Sequence, residues 1–265
     1  MVKTIIKKRK EGEVLETLSK QTLVAIGNKA SPVIKAITQE LHTMKRPDSV
    51  LLGKKHQDLH PFTYQEAFQS FVVSKHASLF VVGSNSKKRP NNLVIGRCYS
   101  EEILDMVEFG VKEFTSALKF KGEALQGLKP MFLFQGDLFE TDATYGRIKN
   151  LFLDFFGGKH IEKVDTRGLN QLISLSATED GDLHFRLYQV KEQQLNEVGP
   201  RFTLSLRRHS IASEARFKAA TKQPKLKNKV KNVTTNPLKE KRGRVHVQQQ
   251  DIKTIALKKR KLKLK

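Results

Sequence analysis

Chemistry in this sequence has to come from its arginines, lysines, histidines and acids, because cysteine occurs once, at Cys98, and tryptophan is absent. Lys87, Lys88 and Arg89 stand in "SNSKKRPNN", between the apolar runs "SLFVVG" and "NLVIG", and Arg97 closes the second run. Arg207 and Arg208 end "RFTLSLRR" in the same way. A guanidinium is a planar fork that matches two phosphate oxygens, so arginines paired at a strand end suit a polyanion backbone. Strand-end arginines also serve as partners for core carboxylates, and for Arg207 and Arg208 both readings stand. The connection at 87–89 has no acid near it in sequence, so its bland alternative is solvation.

The catalytic and metal candidates fail on spacing. "GSNSKKRP" lacks the second Gly followed by Lys and Ser/Thr that a phosphate loop requires. "FFGGKH" sets Lys159 after an expected helix, whose end turns carbonyls toward any ligand. His56 and His60 lie four apart with Asp58 between them, but Pro61 follows and no third ligand stands at a regular spacing. An exposed loop is the simpler reading. Glu101/Glu102 and Asp137/Glu140 fall at expected helix starts, where capping and the helix dipole account for acids. No nucleophile elbow or zinc-protease motif is present. The expectation is a chain with no catalytic residue, no metal site and no cofactor.

What remains is charge, and its distribution is uneven. The net formal charge is +22, from 49 basic and 27 acidic residues. Residues 1–10 hold five basic and no acidic side chains, and 224–265 hold 15 against two, so the stretch between is nearly balanced. A balanced body with two basic ends reads as a folded domain with polyanion-binding arms. "KKRK" at 7–10, "KEKRGR" at 239–244 and "KKRKLKLK" at 258–265 are clusters of the kind used in nuclear import or nucleic-acid binding. One cysteine excludes an internal disulfide and fits a reducing compartment. No apolar run approaches the roughly 20 residues of a membrane span, and "MVKTIIKKRK" has no signal-like apolar region.

The elements that must position these residues are legible by period. "SPVIKAITQELHTMKRP" predicts a helix capped by Ser31, with Pro32 in its first turn and Pro47 ending it. "SVLL" predicts a short strand, and "TYQEAFQSFVVSKH" a second helix. The stretch from Ser78 to Ser100 predicts a strand pair. "SEEILDMVEFGVKEF" predicts a helix capped by Ser100, with Ile103, Leu104, Val107 and Val111 as its stripe. "PMFLFQG" predicts a strand covered on both faces, and "ATYGRIKNLFLDFFGG" a helix stopped by its glycines. "QLISLSAT", "DLHFRLYQV" and "RFTLSLRR" predict three strands, with "EDGD" as the first hairpin turn. Beyond about Pro224 apolar periodicity fails, and the last stretch, "QQQDIKTIALKKRKLKLK", predicts a basic helix formed on binding.

Taken together, "KKRPNNLVIGR", "LDMVEFGVKEF" and "VGPRFTLSLRRHSIAS" resemble the Brix-domain family. That family's signature includes a Gly-Pro step leading into a strand that ends in Arg-Arg, here Gly199, Pro200, Arg207 and Arg208. "MFLFQGDLFE", "IKNLFLDFF" and the tail "GRVHVQQQDIKTIALKKRK" extend the likeness over roughly residues 30 to 260. The resemblance implies an α/β fold: a Brix domain of two similar α/β halves resembling anticodon-binding domains, with basic extended N- and C-terminal arms. The expected divisions are an arm at 1–28, the domain at 29–223 with its halves meeting near 125–165, and a tail at 224–265.

The resemblance further implies a non-enzymatic assembly factor of the large ribosomal subunit, working in the nucleolus. Its implied partners are 5S rRNA and large-subunit precursor rRNA, the ribosomal proteins of the 5S particle, and the small protein regulator of ribosome synthesis 1. RNA contacts are expected at Lys87, Lys88, Arg89, Arg97, Arg207 and Arg208 in the body. Lys241, Arg242, Arg244, Lys258, Lys259 and Arg260 would add contacts in the tail. Two alternatives stay open: a Brix-type factor of the small-subunit precursor, and an RNA-modifying enzyme whose site forms only in the fold.

Overall fold

The computed structural model describes residues 20–53, 60–122, 128–158, 165, 168–191, 194–222, 232–245 and 247. The chain divides into a body, Glu16–Lys222, and a second unit drawn from Met1–Leu15 and Gln223–Lys265.

One nine-stranded sheet carries the body, in the order β2-β1-β3-β4-β5-β9-β8-β7-β6. The first half supplies β1 (Thr22–Ile26), β2 (Ser49–Leu51), β3 (Leu79–Ser84), β4 (Asn92–Tyr99) and β5 (Glu102–Thr115). The second supplies β6 (Met131–Gln135), β7 (Gln171–Ala177), β8 (Asp182–Lys191) and β9 (Gln194–Ile211). Helices α1 (Pro32–Met44) and α2 (Gln65–Ser74) lie between β1 and β3 in sequence. The single turn α3 (Leu138–Thr141) and helix α4 (Ala143–Phe156) lie between β6 and β7, and α5 (Glu214–Thr221) follows β9.

The two halves repeat one topology. β1 runs parallel to β3, which continues antiparallel into β4 and β5. β6 likewise runs parallel to β7, which continues antiparallel into β8 and β9. Parallel neighbours require a crossover, and each half uses a helix for it. The halves join where β5 pairs antiparallel with β9. The expected α/β fold of two similar halves is the fold observed, with β2 and α2 as additions to the first half.

Local sequence explains the helices. The Ser31 hydroxyl accepts from the Ile34 amide, and Ile34, Ile37 and Leu41 bury one face of α1. The Asp142 carboxylate caps α4 through the Thr144 amide at 2.6 Å. Six side chains of α4 are buried, Tyr145, Ile148, Leu151, Phe152, Phe155 and Phe156. At about 1.5–3 kcal/mol each, their burial outweighs anything helix propensity contributes. α1 and α4 share one face of the sheet and one core, which runs from Val24, Val81 and Ile95 through Val107 and Phe109 to Phe185, Phe202 and Leu204. On the opposite face, α2 packs Phe68 and Val72 over Leu23, Phe80, Val94 and Met106 of the first half. Among the described residues, no helix covers that face of β6–β9.

Three sequence expectations are corrected. The stretch expected as a helix from Ser100 is β5, at the centre of the sheet. Both its faces are covered, so period two disappears and the apolar residues imitate a helical stripe. Ser100 (φ 51°) and Glu101 (φ 64°) are not cap and first-turn residues. They form the two-residue turn of the β4–β5 hairpin, where positive φ at both positions matches the strand twist. β6 is not covered on both faces: it is an edge strand, and Leu133 is 40% exposed. Finally, β1 is an internal strand, although its residues fall in the stretch 1–28 expected as an arm.

The second unit contains one described element, an antiparallel ribbon of β10 (Val233–Thr235) and β11 (Lys241–Gly243).

Candidate nucleic-acid interface

The carboxyl ends of the parallel strands β1 and β3 meet the amino end of α1. Gly27 donates its amide to the Gly83 carbonyl at 2.8 Å, which fixes the β1–α1 connection against the end of β3. The Ser31 hydroxyl donates to Asn91 Oδ1 at 2.7 Å, which ties the start of α1 to the β3–β4 connection. That connection is itself a closed turn. Ser86 and Arg89 exchange backbone hydrogen bonds at 3.1 and 3.2 Å, and the Asn91 amide donates to Asn85 Oδ1 at 3.0 Å. Lys87 and Lys88 occupy the exposed corners of this turn, and the exposed Lys29 sits in the neighbouring connection.

Behind the turn lies a buried acid. Glu108, on β5, is 1% exposed and accepts from Asn92 Nδ2 at 2.6 Å. Arg208, its cross-strand partner on β9, binds both carboxylate oxygens and stacks over the Phe62 ring at 4.1 Å. Arg89 Nη1 lies 3.6 Å from the same carboxylate. Arg207, which the register shift between β5 and β9 displaces, donates to Asn92 Oδ1 at 2.9 Å and to the Pro90 carbonyl at 2.6 Å. Its guanidinium covers Gly110, where an added Cβ would lie 2.6 Å from Nε. Burial, with Arg89 beside it, lowers the Arg207 pKa, and Glu108 opposes the shift. Three guanidinium groups thus surround one carboxylate, and the cluster keeps a positive excess that faces the same end of the sheet as the lysines.

Arg208 is therefore a partner of a core carboxylate, as one of its two sequence readings has it, and Arg89 and Arg207 are half-buried around the same network. Arg97 is a correction. Its side chain is 6% exposed and spends itself inward, on Asp105 at 2.9 and 2.5 Å, Asn150 at 2.8 Å and Asp154 at 3.2 Å. Phe217 of α5 stacks over Arg147 at 3.5 Å and faces Arg97 at 5.4 Å. Arg97 pins β4 to α4 and offers no fork to phosphate. In the tail, Lys241, Arg242 and Arg244 are exposed on the ribbon, whereas Lys258, Lys259 and Arg260, like His56 and Lys159, lie outside the described residues. Among the described residues, no group of three His, Cys, Asp or Glu side chains could hold a metal ion, and no helix is long and apolar enough to cross a membrane.

Sequence reasoning missed Lys29, because nothing in "GNKAS" marks it except its place between a parallel strand and a capped helix. Sites in α/β sheets form at the carboxyl ends of strands, so that place was the available signal.

Comparison with known proteins identifies the family. The Brix domain model matches residues 27–208. The ribosome production factor 2 homolog of Schizosaccharomyces pombe is 35% identical over 266 residues, covering 92% of this chain and 83% of that protein. The human ribosome production factor 2 homolog is 35% identical over 227 residues, covering 82% and 73%. A ribosome biogenesis protein of Saccharomyces cerevisiae is 33% identical, covering 96% and 80%. On the family match and on these relatives, the chain belongs to the Brix-domain family, in the group of the ribosome production factor 2 homologues.

Proposed function

We propose that this chain is a non-enzymatic assembly factor of the large ribosomal subunit. It binds rRNA and helps bring the 5S ribonucleoprotein into nucleolar precursor particles, acting with regulator of ribosome synthesis 1. The observation that carries the RNA-binding reading is the gathering at one end of the sheet of Lys29, Lys87, Lys88 and Arg89, on connections held by backbone bonds, with Arg207 of β9 beside them. Connections held in this way keep the cations close together, and contacts of this kind to phosphates read RNA by shape more than by base. The basic tail adds counterion release along the same polyanion. Membership among the ribosome production factor 2 homologues supports the choice of ribosomal RNA.

The bare face of β6–β9 suits the protein partner. In the first half α2 covers the equivalent surface, while here, among the described residues, His184, Arg186, Arg201 and Thr203 line an open groove without a helix, and Leu133 is exposed on the edge strand of the same half. A segment of the partner in place of the missing helix would bury Leu133 and complete the second half.

The test is charge reversal at Lys29, Lys87 and Lys88, which leaves the Glu108 network intact. Co-purification with 5S rRNA should be lost, and the log–log salt slope for RNA binding should shrink by about three. Retention of 5S rRNA with an unchanged slope would reject the reading.

A further inference from the structure

We infer that the β10–β11 ribbon is a wedge arm, which grips an RNA helix by its arginines and inserts its apolar tip at a poorly stacked step. The inference rests on the RNA-binding reading above and names the element and the mode of contact.

The ribbon is short, but its turn is fully specified. Backbone bonds run from Arg244 N to Asn232 O at 2.6 Å to Asn236 N to Glu240 O at 2.9 Å. Between them Lys239 N donates to Asn236 O at 2.9 Å, and Lys239 adopts φ 66°. This is a three-residue loop, a tight turn with proline at its second position followed by a left-handed residue. Pro237 and Leu238 therefore stand at the far end of the ribbon, with Leu238 83% exposed.

None of the described residues 232–245 is buried, so the ribbon has no core of its own. A lone two-stranded hairpin is marginal in water, so docking on another surface would stabilise this one. Charge identifies that surface. Between residues 232 and 247 there are four lysines and arginines and one acid. Strand alternation sets Arg242 and Arg244 on one face, about 7 Å apart, while Lys241 points to the other. Basic ribbons lie along nucleic-acid backbones, and proline or leucine at a leading end is the side chain type that separates base steps. The wide, shallow minor groove of an RNA helix admits such an arm, and a bulge lowers the cost of unstacking.

The test uses the full chain and a synthetic RNA duplex with a one-nucleotide bulge, the adjacent base being 2-aminopurine. Binding of the unaltered chain should raise the fluorescence as the base unstacks. Leu238→Ala should abolish most of that rise while changing affinity less than about threefold. Arg242→Ala with Arg244→Ala should reduce the salt slope by about two. Unchanged fluorescence in the first variant, or an unchanged slope in the second, overturns the wedge while leaving RNA binding by the body intact. If Leu238→Ala instead releases a protein from the assembled particle and leaves the RNA signal untouched, the ribbon is a protein contact and the inference falls. Absence of RNA binding by the unaltered chain would remove the functional reading itself.

Discussion

Replacing Arg97 by methionine separates a fold-holding arginine from an RNA-binding one. The substitution keeps most of the apolar stem but removes four inward contacts, two of them to Asp105. Asp105 is 2% exposed and, among the described residues, keeps the Ala212 amide at 2.9 Å and Arg147 at 4.0 Å. Breaking a buried ion pair from one side costs about 3–5 kcal/mol, because the remaining charge stays desolvated. The loss should appear in urea unfolding at neutral pH as a lower midpoint with an unchanged slope. The double variant Arg97→Met with Asp105→Leu should recover a large part of it, since an apolar pair removes the stranded charge. RNA affinity and its salt slope should stay as they were under conditions where the variant is folded. A stability cost below about 1 kcal/mol together with a reduced salt slope would refute the assignment and return Arg97 to the RNA contact set.

Two other outcomes follow from the structure. Leu133→Glu, on an edge strand and already partly exposed, should leave the unfolding free energy within about 1 kcal/mol and RNA binding unaltered. Pull-down of regulator of ribosome synthesis 1 should nonetheless fail, and normal recovery of that partner would exclude the β6–β9 face. Burial, and Arg46 beside it, hold the His42 pKa below the ordinary 6.5. The unfolded chain therefore takes up this proton first, so His42 contributes stability above pH 6.5 that is lost as the pH falls. His42→Gln should flatten that part of the stability–pH curve, and an identical curve would show that His42 has no part in it.

The sequence was most legible where one face of an element is wet. α1 and α4 have caps and stripes of helical period, and the β7–β8 turn carries its glycine at φ 80°. β5 was not, because a strand covered on both sides loses its alternation and its acids read as solvent-facing. The candidate site was half legible. Lys87 and Lys88 stand out by composition, but Arg97 and Arg208 look identical in sequence although both are committed to buried carboxylates. Only the register of β5 on β9, with its bulge beside Glu108, tells Arg208 from Arg207. Lys29 became visible through a hydrogen bond between residues 60 apart, Ser31 and Asn91, which no local pattern encodes.

The seam between the halves has a consequence for synthesis. Glu108 and Arg208 are 100 residues apart. At translation rates of about 5–20 residues per second, the outer edge of β5 waits roughly 5–20 s for β9. An unpaired central strand left that long would recruit other nascent chains, and charges set into an edge are a known protection. Glu108 supplies such a charge, which Arg208 of the arriving strand neutralises, whereas Asp105 is already paired with Arg97 of β4. Glu108 thus suits both stages: a charge on the edge that disfavours pairing with other chains, then an anchor for β9 once it arrives.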